Sequence, residues 1–218
     1  MKMQSVLIYL GGNGPSNFPA SINREEVVKI IAADSGIELA HRHGVKTDVL
    51  VGDLDSATQE SIELAEKNGA EIIRLNPYKD FTDFEIALIE ASKLKPKQLI
   101  IIGGGGLRTD HLLANISVLC GEQTKDYFVD IYFVDEFLQV CRANQARTIN
   151  SKVNTTVSLL PVNGDVEGVS TSGLEWKLNN AKLSASKALG ISNILTKTNA
   201  SVEVNKGTLL IIQQLQEC

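Results

Sequence analysis

Through about residue 145 the chain alternates short, continuous apolar runs with segments of helical character, and this alternation restricts its fold more than any other feature. The runs are Ser5–Leu10, Val28–Ala32, Asp48–Val51, Glu71–Leu75, Gln98–Ile102 and Asp130–Val134. None shows the period-two pattern of a strand wetted on one face, so each reads as a strand covered by helices on both sides. Strands and helices in alternation give an α/β fold with a largely parallel sheet. Two helix starts stand out. Ser56-Ala57-Thr58-Gln59 and Thr82-Asp83-Phe84-Glu85 both have capping-box form, the first opening a helix that stops at Gly69 and the second one that runs toward Leu94. Phe84, Ala87, Leu88 and Ala91 fall on one face of the second helix, which predicts that it lies on the sheet by that stripe.

After about residue 147 the texture changes. Val153–Leu160, Val166–Ser170, Leu174–Leu178, Asn193–Thr196, Ser201–Val204 and Thr208–Gln213 are short and rich in Val, Ile, Leu and Thr, with turn residues between them. Asn163-Gly164-Asp165, Asn179-Asn180, Gly190 and Asn205-Lys206-Gly207 punctuate the runs as in an antiparallel sandwich or barrel. The expected division is therefore an α/β domain over 1–146 and an all-β domain over 147–218. A domain of about 70 residues is small, so its inner face is expected to need cover from the first domain or a second subunit.

Composition narrows the function. The 218 residues carry 21 Lys and Arg against 26 Asp and Glu, a net charge of −5, with mean hydropathy +0.01. Without a basic block, neither a nucleic-acid groove nor an anionic membrane surface is expected as partner, and a small ligand is the better starting point. Cys120, Cys141 and Cys218 form no CxxC pair, which fits neither a disulfide framework nor a thiolate metal site. The apolar start meets Gly11-Gly12 too soon for a signal sequence or a membrane span, and the expected compartment is the cytoplasm.

Chemistry concentrates after the strands of the first domain. Asp53 and Asp55 lie in Val51-Gly52-Asp53-Leu54-Asp55-Ser56, at the carboxyl end of a strand, where open α/β sheets bind ligands. In extended chain, spacing two points both carboxylates one way, offering hard oxygens to Mg²⁺; the competing reading makes them turn formers or caps. Asp80 and Asp83 follow another strand in Lys79-Asp80-Phe81-Thr82-Asp83, and either stabilise a helix start through its dipole or join the first pair around a cation. Gly103-Gly104-Gly105-Gly106, followed by Arg108, Asp110 and His111, would let the backbone turn its amides toward a phosphate at a helix N-terminus. This is neither a Walker A loop nor GxGxxG. His41 and His43 sit at a helix end, where an imidazolium complements the dipole.

In order and spacing these motifs, from Ala33-Asp34-Ser35-Gly36 to Gly105-Gly106-Leu107-Arg108-Thr109-Asp110-His111 and Asn115, resemble those of the thiamin pyrophosphokinases. Ser172-Gly173-Leu174-Glu175-Trp176-Lys177-Leu178 and Gly190-Ile191-Ser192-Asn193 look like that family's C-terminal signatures, while Ser35 departs from its frequent second glycine. The resemblance implies a Rossmann-like α/β nucleotide-binding domain plus a small β-sandwich, in a homodimer that transfers the diphosphate of ATP to the hydroxyl of thiamin and releases AMP. It implies that Asp53, Asp55 and Asp83 hold Mg²⁺ with Asp80 beside them, and that Lys79 and Arg108 neutralise phosphate charge. Asp34, Thr82, Gly104 and Gly105 would line the nucleotide, and Asp110 would orient the thiamin hydroxyl or accept its proton. Trp176, Ser192 and Asn193 would meet thiamin across the dimer interface. Two alternatives keep part of this picture: a diphosphotransferase or other nucleotide-dependent kinase of the same fold acting on a pterin-like or nucleoside alcohol, and a non-catalytic nucleotide sensor.

Overall fold

The computed structural model describes residues 3–76, 80–106 and 108–215. By chain contacts it divides into a first compact unit, residues 1–115 with 129–134, and a second, residues 116–128 with 135–218. The division falls earlier than the change of texture near residue 147, because the two strands that follow residue 135 pair with strands of the second unit.

In the first unit, β1 (Ser5–Leu10), β2 (Val27–Ala33), β3 (Val49–Gly52), β4 (Glu71–Arg74), β5 (Gln98–Ile102) and β6 (Phe128–Tyr132) form the order β4-β3-β2-β1-β5-β6. The pairings β1/β2, β1/β5, β2/β3 and β3/β4 are all parallel. Every residue of β1 is buried, as its unbroken apolar run requires. Helices α1 (Gly36–Arg42), α2 (Gln59–Lys67) and α3 (Asp83–Ser92) belong to this unit, and α4 (Thr109–Leu119) begins in it and ends in the second. The stripe Phe84, Ala87, Leu88 and Ala91 is buried where α3 packs on β1, β2 and β3. Burying Phe84 and Leu88 contributes about 1.5–3 kcal/mol each.

The start of α3 is as the sequence predicts: the Thr82 side chain accepts from the Glu85 amide at 3.2 Å and the Glu85 carboxylate accepts from the Thr82 amide at 2.9 Å. The start of α2 is not. Its cap is Thr58, whose hydroxyl accepts from the Ser61 amide at 3.2 Å, two residues beyond the expected Ser56. The cause lies in α1. The Glu38 carboxylate accepts from the Thr58 amide (2.9 Å), the Thr58 hydroxyl (2.8 Å) and the Ser61 hydroxyl (2.8 Å), which holds the helix start at Thr58.

In the second unit, β7 (Glu136–Arg142), β8 (Gln145–Asn150), β9 (Thr156–Ser172), β12 (Asn199–Val204) and β13 (Lys206–Gln214) run in the order β7-β13-β9-β12-β8, while β10 (Ala181–Leu183) and β11 (Asn193–Ile194) also pair with β9. The recorded pairings within this unit are antiparallel. The expected turn at Asn163-Gly164-Asp165 is instead a bulge inside one 17-residue strand. Asn163 (φ 63°) and Gly164 (φ 136°) take left-handed conformations, and the register with β13 shifts there from Val162–Thr208 to Glu167–Lys206. The part of β9 before the bulge pairs with β13 and β11, and the part after it with β10, β12 and, at Glu167, again β13. Leu174–Leu178 forms no strand, only a bridge from Leu174 to Leu195. Cys141, Ile149, Val157, Leu159, Val166, Val169, Leu183, Leu195, Val202, Leu209 and Ile211 of this unit form one fully buried core cluster.

Candidate active site

Strand ends of the first unit open onto a cavity of about 480 Å³, within the range of small-molecule sites. Gly11 and Gly12 after β1, Asp34 and Ser35 after β2, Asp53 and Ser56 after β3, Thr82 and Asp83 at the start of α3, and Gly104 to Gly106 with Arg108 before α4 all line it. The acidic cluster is differently composed from the expected one. Carboxylate oxygens of Asp34, Asp53 and Asp55 lie within 4.8 Å of one another. Asp34, expected only beside the nucleotide, is thus the third member, while Asp83 faces the same cavity without joining that group.

The local backbone explains the cluster. Leu54, buried, has φ 63°, so Asp53 and Asp55 meet through a left-handed turn and not through the extended spacing the sequence suggested. Asp34 also lies in the left-handed region, at φ 47°, with its amide donating to the Val51 carbonyl at 2.8 Å, which ties the end of β2 to the end of β3. Gly52 lets the chain pass: a Cβ there would sit 3.2 Å from that of Asp34. Asp34 is half-buried, and burial pushes its carboxyl above the usual range, with Asp83 and Asp55 adding to the rise and amides of Ser35 and Ser56 opposing it.

The donor set fits a small divalent cation. A buried oxygen of Asp34, Oδ1, has no hydrogen-bond partner among the described residues, and such an atom is costly unless something positive meets it. Three carboxylates offering oxygens within 4.8 Å of one another are the hard, anionic donors that such an ion prefers.

The glycine loop is built differently from the expected phosphate cradle. Amides of Gly103, Gly104 and Gly105 donate to carbonyls of Tyr132, Gly11 and Asn13 at 3.0, 3.0 and 3.3 Å, so they point into protein and not into the cavity. Gly105 in turn accepts from the Asn13 amide at 2.8 Å, which makes the loops after β1 and β5 one bridged pair. Arg108 faces Asp110 in a two-pronged pair, Nε to Oδ1 at 3.1 Å and Nη2 to Oδ2 at 2.6 Å. That guanidinium, with the His111 amide, lowers the Asp110 carboxyl to about 2. A carboxylate so stabilised is a poor proton acceptor, and orientation is the better role for it. Asp80 is exposed and outside the cavity lining. The Thr82 hydroxyl serves the helix cap. Lys79 lies outside the described residues.

In the second unit Trp176, Ser192 and Asn193 come together. Trp176 is 59% exposed, so the indole belongs to the surface. Asn193 is buried, and its amide brackets the Trp176 backbone: Oδ1 accepts from the Trp176 and Ile194 amides at 3.1 and 2.8 Å, and Nδ2 donates to the Trp176 carbonyl at 2.8 Å. Asn193 therefore fixes the tryptophan: both lone pairs of its Oδ1 are taken, and one of the two Nδ2 N–H groups is used. Ser192, at φ 58°, is exposed beside it, its amide donating to the Ser158 hydroxyl at 3.0 Å.

Sequence reasoning missed the part Asp34 plays in the cluster and the anchoring by Glu38. The first had a signal, an aspartate after an apolar run like Asp53; the second had none, since it depends on α1 lying beside α2. His41 and His43 do sit at a helix end, in the last turn and at the C-cap of α1. His43 is buried, and burial pushes its pKa down, which opposes an imidazolium at that position.

Residues 23–130 match the model of the thiamin pyrophosphokinase catalytic domain, and residues 146–209 that of the thiamin pyrophosphokinase vitamin B1 binding domain. Thiamine pyrophosphokinase of Bacillus subtilis is 25% identical over 97% of this chain and 99% of its own length. Thiamine pyrophosphokinase 1 of Arabidopsis thaliana is 25% identical over 80% of this chain and 68% of its own. Crystal structures of the thiamin pyrophosphokinases from B. subtilis and Geobacillus thermodenitrificans superpose with TM-scores of 0.85 and 0.81 at 24% identity, covering 98% of this chain and 100% and 99% of theirs. With both domain models matched in order over most of its length, and a mixed α/β fold like theirs, the chain belongs to the thiamin pyrophosphokinase family.

Proposed function

We propose that this family member transfers the diphosphate of ATP to thiamin, giving thiamin diphosphate and AMP. The observation that carries the proposal is the convergence of Asp34, Asp53 and Asp55 at the strand ends beside a glycine-lined cavity, all inside the residues that match the catalytic domain. The thiamin hydroxyl oxygen bonds to the β-phosphorus, the bond from that phosphorus to the α–β bridging oxygen breaks, AMP leaves with the electron pair, and the hydroxyl proton is lost. Such a transfer asks for alignment and charge neutralisation more than for covalent help.

The divalent ion in this reading is Mg²⁺, which Asp34, Asp53 and Asp55 would hold, with Asp83 lining the same cavity; when bound it would neutralise charge on the migrating phosphates. Glu38 keeps the aspartate loop in place by anchoring Thr58. The glycines after β1 and β5 admit the nucleotide close to backbone, Arg108 offers a cation at the rim, and Asp110 orients the alcohol. Trp176, held by Asn193 and flanked by Ser192, offers an aromatic face to the cationic rings of thiamin, a contact of about 1–2 kcal/mol once water is excluded. In this reading the first unit is a Rossmann-like nucleotide domain, the second a sandwich-type thiamin domain, and the enzyme a cytoplasmic homodimer with thiamin bound across the interface. Two facts accompany the last point: among the described residues no helix is long and apolar enough to cross a membrane, and Cys120 and Cys141 are free thiols.

The test is incubation of the purified protein with ATP, Mg²⁺ and thiamin, with separation of the products. Equal amounts of AMP and thiamin diphosphate, lost on chelation, are expected. ADP with thiamin monophosphate would mean γ-phosphoryl transfer, and nucleotide binding without turnover would mean a sensor; either refutes the proposal.

A further inference from the structure

The buried ring of His43 touches nothing in the cavity, yet it holds one end of a loop that lines it. Its Nε2 lies 2.9 Å from the Pro15 carbonyl oxygen and its Nδ1 lies 3.1 Å from the Tyr9 hydroxyl. A carbonyl can only accept, so the ring proton sits on Nε2; Nδ1 is then bare and must accept, and the Tyr9 hydroxyl must donate to it. In the neutral ring both contacts form together only in this one tautomer; a charged ring would have to donate from Nδ1 to the Tyr9 hydroxyl instead. Burial, with Arg42 and Arg24 nearby, opposes a charge there, and the rings of Tyr9 and Phe18 pack edge-on against the imidazole at 5.7 and 6.2 Å between centroids.

What the ring holds is the stretch from Gly11 to Pro15. Its near end is fixed by the Gly104 amide on the Gly11 carbonyl at 3.0 Å, and its middle by the reciprocal pair between Asn13 and Gly105. Gly14 is seated on α1, where a Cβ would meet Leu39 at 2.4 Å. The far end, at Pro15, has no backbone amide to donate, so its carbonyl is the point at which the segment can be tied down, and His43 is the donor it has. Gly11, Gly12, Gly104, Gly105 and Gly106 then present backbone to the cavity as one bridged surface.

We propose that His43 is a positioning residue for nucleotide binding: through Pro15 it sets the Gly11–Gly14 loop, and through the Asn13–Gly105 bridge it sets the glycines that line the cavity and admit the nucleotide close to backbone. This rests on the reading of the cavity as the ATP site. Tyr9 fixes the tautomer and so belongs to the same device.

The two ring nitrogens can be replaced separately. In His43→Asn the amide oxygen stands in for Nδ1 and keeps the Tyr9 contact, while nothing reaches Pro15; in His43→Gln the longer amide brings an N–H to the Pro15 carbonyl. Calorimetric titration with ATP and Mg²⁺, together with KM for ATP and for thiamin, reads the effect. His43→Asn is expected to weaken ATP binding about fivefold or more, the worth of one hydrogen bond, with thiamin KM unchanged. His43→Gln is expected to restore wild-type ATP affinity. Unaltered ATP affinity in His43→Asn, parallel rises in both KM values, or no recovery in His43→Gln would overturn the inference. Should His43→Asn fail to fold, His43→Gln is compared with Tyr9→Phe, which frees the tautomer: tighter ATP binding by His43→Gln supports the device and equal binding overturns it. Wild-type protein that bound no ATP would overturn the reading of the cavity, and the inference with it, whereas wild-type binding matched by His43→Asn overturns the inference alone.

Discussion

Replacing Asp34 by Asn should make the cation-free protein more stable and at the same time deprive it of its response to Mg²⁺. With carboxylate oxygens of Asp34 and Asp53 within 4.8 Å, two unit charges at that distance repel by about 3.5 kcal/mol at an effective dielectric of 20 and about 0.9 kcal/mol in water. Both side chains are partly exposed, so screening leaves a figure on the order of 1 kcal/mol. Asn removes that repulsion, keeps an oxygen for the amides of Ser35 and Ser56, and tolerates the left-handed backbone at φ 47° as well as Asp does. A gain of about 1 kcal/mol moves Tm by roughly 2–4 °C in a chain of this size. The sign with pH agrees: the Asp34 carboxyl is raised on folding, so its cost is absent below the unfolded value and grows as pH rises through the folded one. Thermal melts in chelator and in Mg²⁺ read both effects. Wild type should gain stability from Mg²⁺ and the variant should start higher and gain little. A variant that melts lower than wild type in chelator, or that keeps the full Mg²⁺ increment, would refute the account of the cluster.

Thr82→Ala removes the hydroxyl half of the α3 capping box, leaving the Glu85 carboxylate on the amide of residue 82, and should cost about 1 kcal/mol in urea denaturation, with the slope unchanged. Trp176→Ala should leave thermal stability nearly untouched, since the indole is 59% exposed, while raising KM for thiamin about tenfold, the equivalent of a cation–π contact, and leaving KM for ATP alone; equal thiamin kinetics would remove the residue from the site. The His43 pKa is lowered on folding, so stability from the neutral buried ring is complete above the unfolded value of 6.5 and is lost as pH falls below it. Melting temperatures recorded from pH 8 to pH 5 should therefore drop more steeply in wild type than in His43→Gln.

The parallel sheet was legible because its strands are buried on both faces and leave unbroken apolar runs; β1 and β5 match their predicted limits residue for residue. The antiparallel unit was less so. An Asn-Gly pair makes the same left-handed geometry whether it reverses the chain or bulges a strand, and only the partner strand decides, which is why β9 was divided in two. Leu174 is apolar because it is core, not because it is in a strand. At the site, Asp53, Asp55 and Asp83 could be picked from their place after strands. That Asp34 and not Asp83 completes the close group follows from the turn at Leu54 and the tie between β2 and β3, which are tertiary facts. Likewise the bracketing of the Trp176 backbone by the Asn193 amide leaves no mark in the sequence, since it depends on the two segments meeting in space.

The central place of β1 in its sheet has a consequence for synthesis on the ribosome. Its parallel partner β2 begins at Val27, but its other partner, β5, begins at Gln98, with Ser5 set against Gln98 in the final register and hydrogen-bonded to it across 93 residues. At 5–20 residues per second, β1 therefore exists for about 5 to 20 s as an open edge reading Val-Leu-Ile-Tyr-Leu before its second neighbour has been made. During that interval a nascent chain offers a strongly aggregation-prone segment to its neighbours, so growth temperature and chaperone supply should govern the yield of soluble protein more than the stability of the finished fold does.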